Sequence, residues 1–83
     1  MASTPTGIDQ GSSLESFRRD LILTRVELWV HYVGLGGRAR MGDVSGYLAG
    51  EGQLDRLEHN TIAQALNERF MDLGGNHPVP YLD

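Results

Sequence analysis

The sequence has no cysteine, no lysine, only three prolines, and no apolar run near the length of a membrane span. Each absence closes off a class of protein. Without cysteine there is neither a disulfide nor a thiolate zinc site. Without about 18 consecutive apolar residues, nothing in the chain reads as a transmembrane helix. No charged-then-apolar leader opens it, and the expected location is cytoplasmic. No segment alternates apolar and polar residues as a half-buried strand does. Basic charge is also scarce, with seven Arg against eleven acids, a net −4. The imbalance sits in one half: residues 1–40 carry five Arg and four acids (+1), and residues 41–83 carry two Arg and seven acids (−5). An anionic membrane would be repelled by that half, and nucleic acid is disfavoured as a partner for the same reason.

A length of 83 residues allows one domain. Residues 1–11 are mostly Ser, Thr, Pro, Gly and other small or polar types and read as a flexible tail. Residues 12–75 form the single expected domain, and residues 76–83 an extended C-terminal arm. A folded part of roughly 70 residues hides only about 60% of its unfolded surface. Domains of that size are commonly reinforced by disulfides, a metal or a partner chain. With cysteine absent, a partner chain or close helix packing remains.

What is present is helical. The expected fold is all-α, a small bundle of about three helices over 12–33, 40–49 and 55–73. Ser12 and Glu15 have the spacing of a capping box, which predicts the first helix start. Gly34, followed by Leu35, Gly36 and Gly37, predicts its end. The second helix rests on Met41, Val44 and Leu48. Its Gly42, Gly46 and Gly50 recur every fourth residue, a side on which a neighbouring backbone could approach closely. The third helix begins near Asp55, with Glu58 again at capping-box spacing. His59, Ile62, Leu66, Phe70 and Leu73 mark its buried face, and Gly74-Gly75 ends it. Pro78 and Pro80 then force extended backbone in the arm, which suits either a clasp packed on the helices or a ligand presented to another protein.

On a helical wheel the first helix shows two apolar stripes. Leu14, Phe17, Leu21, Leu28 and Tyr32 form one. Ile22, Val26, Trp29 and Val33 form the other, flanked by Leu23 and Val30. So wide an apolar arc exceeds what one packing partner needs. Arg18 and Arg25 lie between the stripes and call for a carboxylate, from Glu58, Glu68 or a second chain. Arg and large aromatics are enriched at contact hot spots. The sequence therefore predicts a small regulatory or protein–protein interaction domain. It would be a homodimer associating through its first helix, with Phe17, Arg18, Leu21, Arg25, Trp29 and Tyr32 as contact residues.

Chemistry of other kinds finds little support. His31, His59 and His77 have no metal-ligand spacing, and no metal or cofactor is expected. Ser45, in Gly42-Asp43-Val44-Ser45-Gly46, lacks the glycine offsets of a nucleophile elbow. Leu35-Gly36-Gly37-Arg38 matches no phosphate loop. No catalytic residue is assigned, and the chain does not read as an enzyme. The alternative is a helix-turn-helix DNA-binding regulator using the second and third helices. Gln53, Arg56, His59 and Asn60 would then contact bases, and Arg38 and Arg40 the backbone. Asp55 and Glu58 at the same helix end oppose it, since affinity for DNA comes mainly from phosphate neutralisation.

Overall fold

A computed structural model describes the backbone of residues 6–83 and the side chains from Gln10 onward. The described residues form α1 (Thr6–Asp20), α2 (Arg25–Gly34), α3 (Met41–Leu48) and α4 (Arg56–Asp72), with no strand among them. The all-α class expected from the sequence is present, but the long helix expected over 12–33 is two helices. The expected tail also changes: residues 6–11 are the first turns of α1, while residues 1–5 lie outside the described part.

The division of the first helix has a local cause. Leu21 closes α1, Ile22 takes a left-handed φ of 54°, and Leu23 follows. The amide of Ile22 donates to the carbonyl of Arg19, and that of Leu23 to Arg18. These are the two bonds of a Schellman motif. Thr24 then caps α2, accepting from the Glu27 amide, while the Glu27 side chain accepts from the Thr24 amide. This is a complete capping box. Leu23 and Leu28, at the positions of a hydrophobic staple, are both buried.

The other helices end in the same motif with glycine in the left-handed place. Gly36 (φ 99°), Gly50 (φ 80°) and Gly74 (φ 86°) follow α2, α3 and α4. In each, the amide one residue later reaches back to Tyr32, Gly46 or Phe70. Gly34, expected to mark the end, is the last residue of α2, and the left-handed place falls to Gly36. Asp55 caps α4 as expected, accepting from the Glu58 amide. Glu58 completes no capping box, because its carboxylate turns to Tyr32 and to the Arg38 amide.

Each of α1 and α2 packs against both α3 and α4. Leu14, Leu21, Leu28, Tyr32, Val44, Tyr47, Leu48, Ile62 and Leu66 fill the core between them. The edge of the Phe17 ring meets Phe70, with centroids 6.1 Å apart and planes at 88°. Close backbone approach occurs, but not at Gly42 or Gly46, where an added Cβ would meet open space. It occurs at Gly11, inside the expected tail, where an added Cβ would collide with the Tyr47 carbonyl oxygen. That glycine sets how near α1 lies to α3.

Candidate functional site

The residues expected to form an interface divide according to which apolar stripe they belong to. The stripe containing Leu14, Phe17, Leu21, Leu28 and Tyr32 faces inward. Leu21 and Tyr32 are buried, and Phe17 is half-buried against Phe70. Trp29 is half-buried and its Nε1 donates to the Ala39 carbonyl at 3.1 Å. The second stripe divides: Leu23 is buried and Trp29 packs against the core, while its other members remain at the surface. Val26, Val30 and Val33 are 51%, 59% and 41% exposed, and Ile22, in the turn before α2, is 90% exposed. Their spacing of four and three residues puts the valines on one face of α2. Ile22, Val26 and Val33 were legible as members of an apolar stripe and Val30 as its flank, whereas Trp29 and Leu23, read with them, turn inward. Nothing in the sequence said which of the two stripes the molecule would use itself.

Arg18 and Arg25 find their carboxylate within the chain, and it is neither Glu58 nor Glu68. Glu15, buried on α1, accepts from Arg18 Nε and Nη2 at 2.7 and 2.6 Å, from Arg19 Nε at 3.2 Å and from Arg25 Nη2 at 3.2 Å. The Arg18 bonds, opposed by burial and helped by Arg25, hold the Glu15 carboxyl at about 2, well below its usual range. Arg25 also donates to the Ser45 hydroxyl at 2.9 Å, so this one carboxylate ties α1 to α2 and, through Arg25, to α3. Glu15 thus serves packing rather than the helix cap expected of it. Beside it lies an open cleft of about 510 Å³ lined by Ser12, Ser16, Arg19, Asp20, Leu48 and Ala49 among others.

The six residues considered for DNA contact are not gathered on one free face. Arg38, Arg40 and Gln53 are exposed. His59 is buried, its Nδ1 hydrogen-bonded to the Tyr47 hydroxyl at 2.6 Å, and burial pushes its pKa down. Arg56 and Asn60 hold the C-terminal arm. Arg56 Nη1 donates to the Asp83 carbonyl at 2.9 Å. Asn60 Nδ2 donates to the Leu82 carbonyl at 3.0 Å, while the Leu82 amide donates to Asn60 Oδ1 at 2.7 Å.

Asn67 repeats this arrangement two turns along α4. Its Nδ2 donates to the Val79 carbonyl at 3.0 Å, and the Val79 amide donates to its Oδ1 at 2.8 Å. The arm therefore runs back along α4, with Val79 buried at 2% exposure. The registers agree. Two residues three apart on a polyproline-type strand are about 9 Å apart, and seven residues of helix rise about 10.5 Å. Asn60, a base-contacting type in the DNA-binding alternative, and Asn67 both hold the arm instead. Their seven-residue spacing facing a proline-containing arm was the available signal.

Among the described residues no group of three or more His, Asp or Glu side chains could hold a metal ion, and no helix is long and apolar enough to cross a membrane. Comparison with protein-family models, with curated proteins and with solved structures shows no match to this chain.

Proposed function

We propose that this protein is a small interaction domain that acts through its surface rather than by catalysis, and that it self-associates through the outer face of α2 and the Ile22 turn. One observation carries the reading. Ile22 stands where the other three helices have glycine, in a backbone conformation that disfavours β-branched residues. Its side chain is nevertheless 90% exposed, so no packing within the chain compensates the strain. An unfavourable residue retained without internal benefit points to a contact outside the molecule.

The valine face supports a second copy as the partner. Val26, Val30 and Val33 are spaced almost evenly about Val30, so a two-fold axis there sets Val30 on Val30 and Val26 against Val33 of the other copy. Glu27, exposed one turn before Val30, flanks this set with its carboxylate turned to the Thr24 amide, so two chains of net −4 can meet with no carboxylate on the axis itself. The patch is small beside the roughly 800 Å² that each partner buries in a standard interface, which places the pairing in the weak, reversible class.

Sedimentation equilibrium over a range of concentrations tests this. The wild-type chain is expected to shift reversibly from about 9 kDa towards twice that mass, and Val30→Glu to stay monomeric with unchanged circular dichroism, since Val30 lies outside the core. A wild-type chain that remains monomeric throughout would end the proposal.

A further inference from the structure

The face of α4 bearing Arg56, Asn60 and Asn67 is built to hold an extended peptide. Both asparagines pair with both main-chain groups of an arm residue, Val79 and Leu82, and Arg56 takes the carbonyl of Asp83. Asn67 is 1% exposed and Val79 2%, so the site has a dry centre, where such bonds are strongest. We infer that this face is a peptide-docking groove, and that the occupant it accepts from outside is the same arm of a second copy of the chain.

Three features favour exchange between copies. The occupant known to fit is residues 79–83 of this chain, so a second copy brings a matching ligand by identity. Few arm side chains are committed to the core: Val79 is buried and Leu82 half-buried, while the rest of residues 71–83 is exposed. The connection is also long enough. Residues 73–78 could span about 20 Å when extended, whereas helices pack about 8–10 Å apart. A link that now folds back through Gly74 (φ 86°) could instead cross to an adjacent α4. Met71 and Leu73, 49% and 62% exposed at that end of α4, would be covered where two copies meet.

Within one chain the short tether keeps the arm at high effective concentration, so the closed form dominates in dilute solution. Exchange is then a minor form that grows with concentration, and it becomes the main form when closure within one chain is disabled. This contact is separate from the α2 face, and the test removes that face by placing Val30→Glu in every chain. One full-length chain carries Asn60→Ala and Asn67→Ala, leaving an arm without a groove. The other carries Val79→Asp, leaving a groove without a competent arm. The two are unfolded together, refolded by dilution and examined by native mass spectrometry. A one-to-one complex of twice the monomer mass is expected in the mixture only, and monomers alone in the mixture would overturn the inference.

A second measurement avoids dependence on those variants folding. An isotope-labelled chain is co-refolded with an unlabelled chain bearing a spin label at Asp83→Cys, both in the Val30→Glu background. Broadening of the Asn60 and Asn67 side-chain amide signals, growing with concentration, is the expected result. Its absence at the highest attainable concentration also overturns the inference.

Discussion

Ile22 is the one residue among those described that takes a positive φ without being glycine. Left-handed backbone costs an L-residue about 1–2 kcal/mol, and glycine there would relieve that cost while adding some unfolded-state entropy. Ile22→Gly is therefore expected to stabilise the fold by about 1 kcal/mol, raising the melting temperature by several degrees in a domain of this size. The same change should weaken self-association. Thermal denaturation and sedimentation on one sample measure both. A variant that melts lower, or associates as well as the wild type, would contradict the role given to this side chain. Neighbouring Leu21 and Leu23 are buried, which confines the expected effect to residue 22.

At the level of elements, the sequence showed helices but not where the first one breaks. Glycine marks the ends of α2, α3 and α4, and those ends were legible. Isoleucine fills the equivalent place after α1, so the usual marker of a stop was missing. The informative signal was Thr24 followed by Glu27, a capping box inside an apolar stretch that otherwise continues at helical spacing. Ser12 and Glu15 have similar spacing but lie within α1, because spacing alone cannot tell a cap from a buried ion pair. The Arg18 and Arg25 requirement for a carboxylate was legible. Its answer was not, since Glu15 also stands at capping-box spacing from Ser12.

That ion cluster makes stability depend on acid. Glu15 has a usual value of 4.5 and a folded value of about 2, so below 4.5 the unfolded chain binds more protons and stability falls until pH reaches about 2. The contribution lost is on the order of 3 kcal/mol. His59 acts earlier. Burial lowers its folded value from 6.5, so the unfolded chain again binds more protons as pH drops below 6.5, and stability declines there too. Urea denaturation from pH 7 down to pH 3 should show two successive losses. His59→Gln should flatten the first whatever it does to stability at pH 7. Constant stability across this range would contradict the burial of both groups.

For the molecule as a whole, the sequence announced more apolar helix surface than one small chain needs, and the structure divides it. One stripe, with Leu14, Leu21, Leu28 and Tyr32, becomes core. Of the other, Leu23 and Trp29 turn inward, and Ile22, Val26, Val30 and Val33 stay outside. A wheel drawn from one continuous helix could not make that division, because the break at residues 21–24 re-aims α2 relative to α1. The arm was legible as extended from its prolines, but its partners required the placement of Asn60 and Asn67 along α4.

Concentration-dependent NMR tests the central claim most directly. On dilution of the wild-type chain, the amide and methyl signals of Ile22, Val26, Val30 and Val33 should move together along one binding curve, while those of Leu28, Ile62 and Leu66 in the core stay fixed. Signals unmoved at every concentration, or shifts confined to surfaces away from α2, would contradict it.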